Sequence, residues 1–391
     1  MPDPFLTLLP RRDTDSLKWR LYPPDVLPLW VADMDFPSPE PVLEALRRRV
    51  EHGVLGYPES AMSPEAGAEG LREVLVARMA ERYGWVIRAE ELVFIPGVVT
   101  GFNLACHAVG EPGDGVLVQP PVYMPFLGAA QTAGKVRQDV PLVQVAGGAY
   151  EVDWEAFEAA ITGRTRLFLL CSPHNPVGRV WRREELRRMA DICLRHGVTL
   201  CSDEIHCDLL FEGRSHVPMA SLDPEVARHT ITLMAPSKTF NIAGLACSFA
   251  IIQDPALRRR YLHARQGLVP MVNLLGMVAA EAAYRDGQPW LDGLLRTLDG
   301  NRRLLAEAVP RDLPGLRMAP VEGTYLAWLD CREAGLEPGP ARFFLDRARV
   351  ALNDGEAFGP GGEGFVRLNF GCPRSVLEEA LQRMGRALAD R

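Results

Sequence analysis

Four side chains of this 391-residue sequence could take part in chemistry, and three of them follow predicted buried strands. Asp203 follows the apolar run 198–201. A carboxylate at the end of a buried strand needs a partner, and a protonated pyridine nitrogen would be a suitable one. Lys238 follows the run 230–234 and lies among small and apolar residues. Partial burial there would lower its pKa and favour a neutral, nucleophilic amine.

The other two side chains are Asn175 and Arg367. Asn175 lies in the loop Ser172–Gly178, where two prolines and a glycine predict a tight turn that would hold its amide rigidly. Arg367 lies between Val366 and Leu368 in a predicted strand, so its side chain points to the face opposite theirs. A guanidinium group in this place suits bidentate binding of a carboxylate.

Each of these residues also has a purely structural interpretation. Asn175 could belong to an ordinary turn, and Asp203 could form a salt bridge or cap a helix. Lys238 could be a surface lysine, and Arg367 could be an exposed strand residue. Taken one at a time, the four residues do not decide between structure and chemistry.

Alternating strands and helices position these side chains. The predicted strands are 116–118, 166–171, 198–201, 230–234 and 247–252, and a helix is predicted over 182–195. This alternation is typical of βαβ units and of a mostly parallel sheet that is buried on both faces. Ligands bind at the carboxyl ends of the strands in such sheets. Asn175, Asp203 and Lys238 all follow such strand ends.

The pattern changes after a helical region over 255–286, which we expect to be broken near Pro270. The later predicted elements are strands at 323–330 and 365–370 and helices at 340–350 and 375–389. We therefore predict an α/β protein with a large domain over 46–289 and a smaller α+β domain over 290–391. Residues 1–45 should pack on the small domain or on a partner subunit.

Composition argues against several classes of function. The net charge is −7, and no concentrated basic patch suggests nucleic-acid binding, since Arg47–Arg49 fits a solvated helix face. No apolar run approaches the roughly 20 residues of a membrane span, and no signal peptide is expected. The eight cysteines form no Cys-x-x-Cys pair, and we expect them to be reduced and buried in a cytoplasmic protein. Cys201, His206 and Cys207 lack a second ligand pair, so no metal site is predicted.

Asn175, Asp203, Lys238 and Arg367 occur in the order found in fold-type I enzymes that depend on pyridoxal 5′-phosphate (PLP), the aspartate aminotransferase superfamily. Asn175 and Asp203 are 28 residues apart and Asp203 and Lys238 are 35 residues apart, which also fits. More closely, the sequence resembles the MalY/PatB family of cystathionine β-lyases, or C–S lyases, over nearly its whole length. The segments that carry the resemblance are 28–36 (PLWVADMDF), 52–57 (HGVLGY), 171–181, 202–206 (SDEIH), 237–242, 324–330 and 365–374.

The resemblance implies a fold-type I PLP-dependent transferase fold and a role for each residue. Lys238 would bind PLP as a Schiff base and move the Cα proton of the substrate. Asp203 would pair with the pyridinium nitrogen, and Asn175 would donate a hydrogen bond to O3′ of the ring. Tyr123 would stack on the ring. Arg367 would bind the α-carboxylate of an amino-acid substrate, together with Asn175.

The resemblance also implies a phosphate site and a second subunit. Backbone N–H groups of Val98 and Val99 at a helix start and the hydroxyl of Ser237 would hold the phosphate. Tyr57 would reach this site from the partner subunit, which implies a homodimer with a shared active site. His206 would lie near O3′, and Ala32 would lie beside the substrate.

Two positions depart from the superfamily pattern. Ala235 lies three residues before Lys238, where a serine that contacts the phosphate is common. Ala246 stands where many aminotransferases have an arginine. The set of groups that binds the phosphate is therefore expected to differ from that of relatives.

The activity implied is cleavage of L-cystathionine or a related cysteine S-conjugate to a thiol, pyruvate and ammonia. An aminotransferase on the same fold stays open, because both reactions use the same core residues. A PLP-binding regulatory protein also stays open, although no feature of the sequence shows a surface for a regulator. A nucleotide-binding α/β protein is disfavoured, because neither a Gly-x-Gly-x-x-Gly motif after an early strand nor a Walker loop is present.

Overall fold

Strands and helices alternate through most of the chain. The computed structural model describes residues 4–58 and 68–390. Residues 1–3, to which the signal-peptide prediction refers, residues 59–67 and residue 391 lie outside the described residues.

The strands are β1 (Leu27–Pro28), β2 (Leu92–Ile95), β3 (Gly115–Val118), β4 (Val136–Asp139), β5 (Val143–Gln144), β6 (Tyr150–Glu151), β7 (Thr165–Cys171), β8 (Thr199–Asp203), β9 (Thr230–Met234), β10 (Ser248–Ile251), β11 (Arg317–Met318), β12 (Leu326–Asp330), β13 (Val350–Ala351), β14 (Asn353–Asp354) and β15 (Phe365–Asn369). The α-helices are α1 (Leu17–Arg20), α2 (Glu40–Glu51), α3 (Glu69–Tyr83), α4 (Val98–Ala108), α5 (Pro125–Thr132), α6 (Trp154–Ala159), α7 (Arg183–Arg195), α8 (Pro224–Arg228), α9 (Pro236–Thr239), α10 (Pro255–Arg265), α11 (Leu274–Asp286), α12 (Gln288–Asp312), α13 (Pro340–Phe343) and α14 (Arg374–Ala389).

A seven-stranded sheet in the order β2-β10-β9-β8-β7-β3-β4 forms the larger part of the molecule. The five strands β9, β8, β7, β3 and β4 run parallel to one another, and β10 runs antiparallel to both β2 and β9. Side chains alternate between two buried clusters, so that Val116 and Val118 lie in one and Leu117 in the other. Burial on both faces explains the continuous apolar runs in the sequence. The predicted α/β fold class is confirmed.

A smaller antiparallel sheet in the order β11-β12-β15-β14 follows along the chain. The N-terminal segment shares its hydrophobic core, since Leu27 and Leu29 lie in one buried cluster with residues of α12 and α14. Strand β1 also pairs with β13. The predicted break near Pro270 is confirmed, because α10 ends at Arg265 and α11 begins at Leu274. The predicted domain boundaries at 45 and 289 stay predictions.

Two element predictions were wrong in this smaller part. The helix predicted over 340–350 stops earlier, because Arg349 takes a left-handed backbone conformation (φ 55°) and the next two residues form β13. The strand predicted over 323–330 begins only at Leu326, because Thr324 also has a positive φ of 72°. In both cases a residue with a left-handed backbone conformation makes the element shorter than the apolar spacing predicts.

A buried ion cluster holds the N-terminal segment in place. The Asp35 carboxylate accepts hydrogen bonds from Arg11 Nη1 (2.6 Å), Lys18 Nζ (2.7 Å) and Trp19 Nε1 (2.7 Å). Lys18 is fully buried, so Asp35→Ala would leave its charge without its closest partner. We expect this substitution to lower the free energy of unfolding by about 3–5 kcal/mol, as measured by urea denaturation.

The matched control is Asp25→Ala. Asp25 lies in the same N-terminal segment and pairs with Arg349 at 2.7 Å, but its side chain is 62% exposed. Solvent screens such a pair, so the control should change the urea midpoint little. Equal effects of the two substitutions would contradict the role given to the buried cluster.

Candidate active site

A cavity of about 180 Å³ lies at the edge of the large sheet where β7, β8 and β9 end. The predicted site residues that line it are Ala32, Val98, Val99, Tyr123, Asn175, Asp203, His206, Ser237 and Lys238. Arg367 lies next to the cavity, bonded to Asn175. Tyr57 is not brought to this cavity within the chain and is 90% exposed. The fold thus gathers most of the predicted residues around one space.

Lys238 lies on α9, the short helix that follows β9. Its Nζ atom donates a hydrogen bond to the Ala32 carbonyl oxygen at 2.6 Å. The side chain lines the cavity but is otherwise surrounded by protein, and this burial lowers the pKa of Lys238 to about 8. The charge of Arg367 lowers this pKa further, against the opposing effects of Asp33 and Asp203. The amine is therefore partly neutral, and nucleophilic, in mildly alkaline solution.

Lysine is rare in this protein. The whole chain has three lysines, at positions 18, 135 and 238. Lys18 is fully buried against Asp35. Lys135 is also buried, and its amine donates a hydrogen bond to the carbonyl oxygen of Val109. Of the three, Lys238 alone lines the cavity.

Asp203 ends strand β8 and is buried. One carboxylate oxygen accepts a hydrogen bond from the backbone N–H of Ile205 at 3.1 Å. Burial raises the pKa of Asp203 to about 7, and the neighbouring Glu204 adds to this shift. Within residues 4–58 and 68–390 no side chain forms an ion pair with Asp203, so the salt-bridge alternative is not supported. The carboxylate faces the cavity, where a cationic group of a ligand could pair with it.

Arg367 is a buried cation whose side-chain partners are neutral. Its Nη1 donates to Asn175 Oδ1 at 3.0 Å, and its Nη2 donates to the Trp30 carbonyl oxygen (3.0 Å) and to Asn353 Oδ1 (2.6 Å). The guanidinium carbon lies 4.9 Å from the ring centre of Phe358. Burial lowers the pKa of Arg367 to about 10, and Nε has no hydrogen-bond partner in the described part of the chain.

The alternative that Arg367 is an exposed strand residue is therefore not supported, since Arg367 is only 2% exposed. A buried guanidinium without a counter-ion is unfavourable, and a carboxylate from a ligand would supply the missing charge. The amide oxygen of Asn175 is used by Arg367. Its Nδ2 makes no hydrogen bond to the described residues and can donate toward the cavity.

Two rings and a helix start complete the lining. His206 is buried, and burial lowers the pKa of His206 to about 3, so the ring is neutral. Its Nδ1 has no partner among the residues described. Tyr123 follows β3, and burial raises its pKa. Helix α4 begins at Val98, and the first N–H groups of a helix have no partner within it.

The two departures from the superfamily pattern differ in their positions. Ala235 is buried at the start of α9 and does not line the cavity. Ala246 does line it, with a positive φ of 47°. Neither position offers a hydroxyl or a guanidinium. Among the residues that line the cavity, Ser237 and Ser248 carry hydroxyls, and the start of α4 offers backbone N–H groups.

A family model described as aminotransferase class I and II matches residues 24–384 of this chain. The chain belongs to the class I and II aminotransferase family. It is 41% identical to cystathionine beta-lyase PatB of Bacillus subtilis, with 97% of this chain and 98% of that protein covered. Among solved structures, OvoB matches with a TM-score of 0.92 and 46% identity over 98% of both chains. Cystalysin from Treponema denticola, which contains PLP, matches with a TM-score of 0.94 and 35% identity over 100% of both chains. The predicted resemblance to the MalY/PatB family is confirmed.

The lining of the cavity in this member of the class I and II aminotransferase family fits PLP. Lys238 offers an amine whose pKa is lowered, and Asp203 offers a buried carboxylate that forms no ion pair with any described residue. His206 Nδ1 and Asn175 Nδ2 offer polar atoms that are not used elsewhere in the described structure. The amine suits the aldehyde of PLP, the carboxylate suits its pyridinium nitrogen, and the two side-chain nitrogen atoms suit its ring hydroxyl.

Two side chains at the site of this family member were not predicted as functional. Tyr325 donates its hydroxyl hydrogen to the Ala32 carbonyl oxygen at 2.9 Å. Asn353 holds Arg367. Tyr325 stands in the quoted segment 324–330, but its apolar surroundings suggest only a core residue. Asn353 follows the region where the helix prediction failed, and no signal in the sequence pointed to it.

Replacing Asp203 with asparagine should stabilise this protein in alkaline solution when it holds no cofactor. A carboxyl group whose folded-state pKa is raised binds more protons in the folded than in the unfolded chain between about pH 4 and pH 7, so its contribution to stability falls as pH rises through that range. Asparagine removes this penalty while keeping the acceptor for Ile205. The free energy of unfolding at pH 8 should therefore rise by several kcal/mol, on the order of 4, with little change at pH 4.

Urea denaturation of the cofactor-free chain at the two pH values measures this effect. Asp191→Asn is the control, because Asp191 is half exposed and only loosely paired with Arg187 at 3.7 Å. The control should alter stability little at either pH. An asparagine variant at position 203 that is less stable than the wild type at pH 8 would refute the expectation.

Proposed function

We propose that this protein is a PLP-dependent C–S β-lyase that cleaves L-cystathionine or a related cysteine S-conjugate to a thiol, pyruvate and ammonia. One observation carries the proposal: an amine of lowered pKa and a carboxylate line one cavity, and a guanidinium lies beside it. Among the described residues, the carboxylate has no cationic ion-pair partner and the guanidinium has no counter-ion. These are the charges that PLP and an amino acid would complement. The similarity to the cystathionine beta-lyase PatB favours the lyase over an aminotransferase.

The residues that would hold PLP come from α4, α9, β8 and the loops that follow β3, β7 and β8. Lys238 would bind it covalently through Nζ, and Asp203 would pair with its ring nitrogen. Asn175 and His206 would lie beside its ring hydroxyl, and Tyr123 would stack on the ring. The N–H groups of Val98 and Val99 and the hydroxyl of Ser237 would bind its phosphate. When bound, PLP supplies an electron sink that lets a Cα–H bond break and a thiolate leave from Cβ.

Arg367 and Asn175 would place the substrate for this reaction. The guanidinium would bind the α-carboxylate, and its own bonds to Asn175 and Asn353 fix its direction before the substrate arrives. This arrangement fixes Cα relative to Lys238 and limits its rotation. Lys238 Nζ, released when the substrate amine replaces it, would then take the proton from Cα. Its lowered pKa leaves the released amine partly neutral, as a base must be.

We further propose a cytoplasmic homodimer in which Tyr57 reaches the phosphate site of the partner subunit. Tyr57 is 90% exposed, and Val54 and Leu55 beside it are also exposed. A cluster of exposed apolar side chains on one loop supports a contact with another chain. All eight cysteines are free and buried, which fits a reducing compartment. None of the described helices is long and apolar enough to cross a membrane.

Pyruvate release separates the two candidate reactions. The purified protein with PLP should form pyruvate and a thiol from L-cystathionine when no 2-oxo acid is added. An aminotransferase would instead need a 2-oxo acid and would convert it to the corresponding amino acid. Transfer of the amino group without pyruvate formation would overturn the lyase proposal, and a panel of cysteine S-conjugates would identify the preferred thiol leaving group.

A further inference from the structure

Two side chains donate to one backbone carbonyl beside the cavity. The Ala32 oxygen accepts from Lys238 Nζ at 2.6 Å and from the Tyr325 hydroxyl at 2.9 Å. A carbonyl oxygen has two lone pairs, so both bonds can form together. Lys238 follows β9 of the large sheet, whereas Tyr325 directly precedes β12 of the small sheet. The carbonyl of Ala32 therefore connects the two sheets through the N-terminal segment.

The neighbouring carbonyls of the same segment are held from the small sheet as well. Asn369 Nδ2 donates to the carbonyl oxygens of Val31 (2.6 Å) and Asp33 (2.7 Å). Together with Tyr325, this side chain binds three successive carbonyl groups. The peptide planes on either side of Ala32 are thus fixed, and the Ala32 oxygen is aimed at the lysine.

The Tyr325 hydroxyl depends on this contact. Tyr325 is only 1% exposed, and its ring meets the ring of His206 edge-on at a centroid distance of 6.0 Å. A buried hydroxyl without a partner is unfavourable, and the Ala32 oxygen is the acceptor that it uses. The bond is therefore a persistent feature of the fold.

We propose that Tyr325 is a positioning residue. Its hydroxyl fixes the Ala32 carbonyl oxygen so that this oxygen accepts a hydrogen bond from the Lys238 amine whenever the amine is free. The inference rests on the proposed function, because it concerns the lysine that would bind PLP. A neutral amine that donates one N–H to Ala32 turns its lone pair away from that oxygen. When Nζ takes the Cα proton, the electron pair of the C–H bond becomes the new π bond between Cα and Cβ, and the electron pair of the Cβ–S bond departs with the thiolate. The new ammonium keeps its hydrogen bond to the Ala32 oxygen.

The charged and titratable groups that face Lys238 come from several elements. They are Arg367 on β15, Asp203 on β8, Asp33 in the N-terminal segment and the neutral ring of His206. Replacing Tyr325 with phenylalanine leaves all of them in place. It removes one of two donors from the Ala32 oxygen, which then accepts more strongly from an ammonium group. A hydrogen bond to the charged form favours that form, so the pKa of the free Lys238 amine should rise by about half a unit.

The test compares Tyr325→Phe with Tyr261→Phe. Tyr261 is fully buried, and its hydroxyl also donates to a backbone carbonyl, that of Gly101, at 3.0 Å. It does not line the cavity. The full-length chain, stripped of cofactor, is mixed with PLP over a range of pH, and the absorbance of the bound cofactor gives the rate of capture. This rate follows the neutral fraction of the Lys238 amine without any turnover.

The expected result is that the pH midpoint of capture rises by about half a unit in Tyr325→Phe and stays unchanged in Tyr261→Phe. In the holoenzyme, kcat of Tyr325→Phe should fall about tenfold while KM changes less than threefold, because the proton transfer loses its alignment. A capture midpoint and kcat equal to those of Tyr261→Phe would overturn the inference. If the wild type captures no PLP, the proposed function fails, and the positioning role fails with it.

Discussion

Lys238→Ala should reduce pyruvate release by at least about a thousandfold and remove the absorbance of covalently bound PLP. The amine that would bind PLP and the base that would take the Cα proton are the same atom, Lys238 Nζ. Alanine removes both roles at once, and loss of a positioned general base alone typically costs two to four orders of magnitude in rate. Steady-state pyruvate assays and absorbance spectra of the purified variant measure the two effects.

The control for this experiment is Lys135→Met. Lys135 is also a buried lysine that donates to a backbone carbonyl, and it lies outside the cavity. Methionine keeps the apolar stem, so cofactor binding and activity should stay within about twofold of the wild type. Borohydride reduction followed by peptide mapping adds a direct readout, because the chain has only three lysines that could have bound PLP. A Lys238→Ala variant that retains bound cofactor and pyruvate release would refute the assignment.

Arg367→Lys should lower kcat/KM about a hundredfold, mainly through a higher KM. Lysine keeps the charge but loses the planar pair of N–H groups that can bind a carboxylate in two places. It also cannot keep the bonds to Asn175, Trp30 and Asn353 at once. Loss of a buried, hydrogen-bonded charge contact of this kind costs roughly 2–5 kcal/mol, which brackets the expected change.

Arg332→Lys provides the matched control. Arg332 also stacks on a phenylalanine, with its guanidinium carbon 4.7 Å from the ring centre of Phe365, but its side chain is 54% exposed. Its replacement should leave kcat/KM within about twofold. Inhibition by an amino acid and by the matching amine without a carboxylate gives a second readout. The amino acid should inhibit the wild type much more strongly than the amine does, and this difference should be lost in Arg367→Lys. An unchanged difference in Arg367→Lys would show that the carboxylate binds elsewhere.

The sequence was sufficient for the parts of the site that depend on local patterns. Asn175, Asp203 and Lys238 follow apolar strands, and parallel strands bring their carboxyl ends to one edge, so their convergence was predictable. The charge of Arg367 was visible, but its burial was not. That burial depends on Trp30, Asn353 and Phe358, which the fold brings together from distant positions.

The failures have physical causes of the same kind. The contact between Tyr325 and Ala32 spans 293 residues, and no periodicity encodes it. The end of the helix predicted over 340–350 depends on one left-handed arginine, Arg349, a conformation that residue type does not reveal. The role of Tyr57 depends on a second chain, so it stays a prediction here.

Because lysine is scarce in this protein, the number of active sites in a preparation can be measured by chemical labelling. Positive charge on the surface comes from arginine, because two of the three lysines are buried against other groups. Apart from the terminal amine, a small reagent selective for primary amines finds one side chain that lines an open cavity, Lys238. The moles of such a reagent taken up per mole of chain would therefore titrate the functional fraction of a preparation. Loading with PLP before labelling should protect that single side chain and provide the blank for the count.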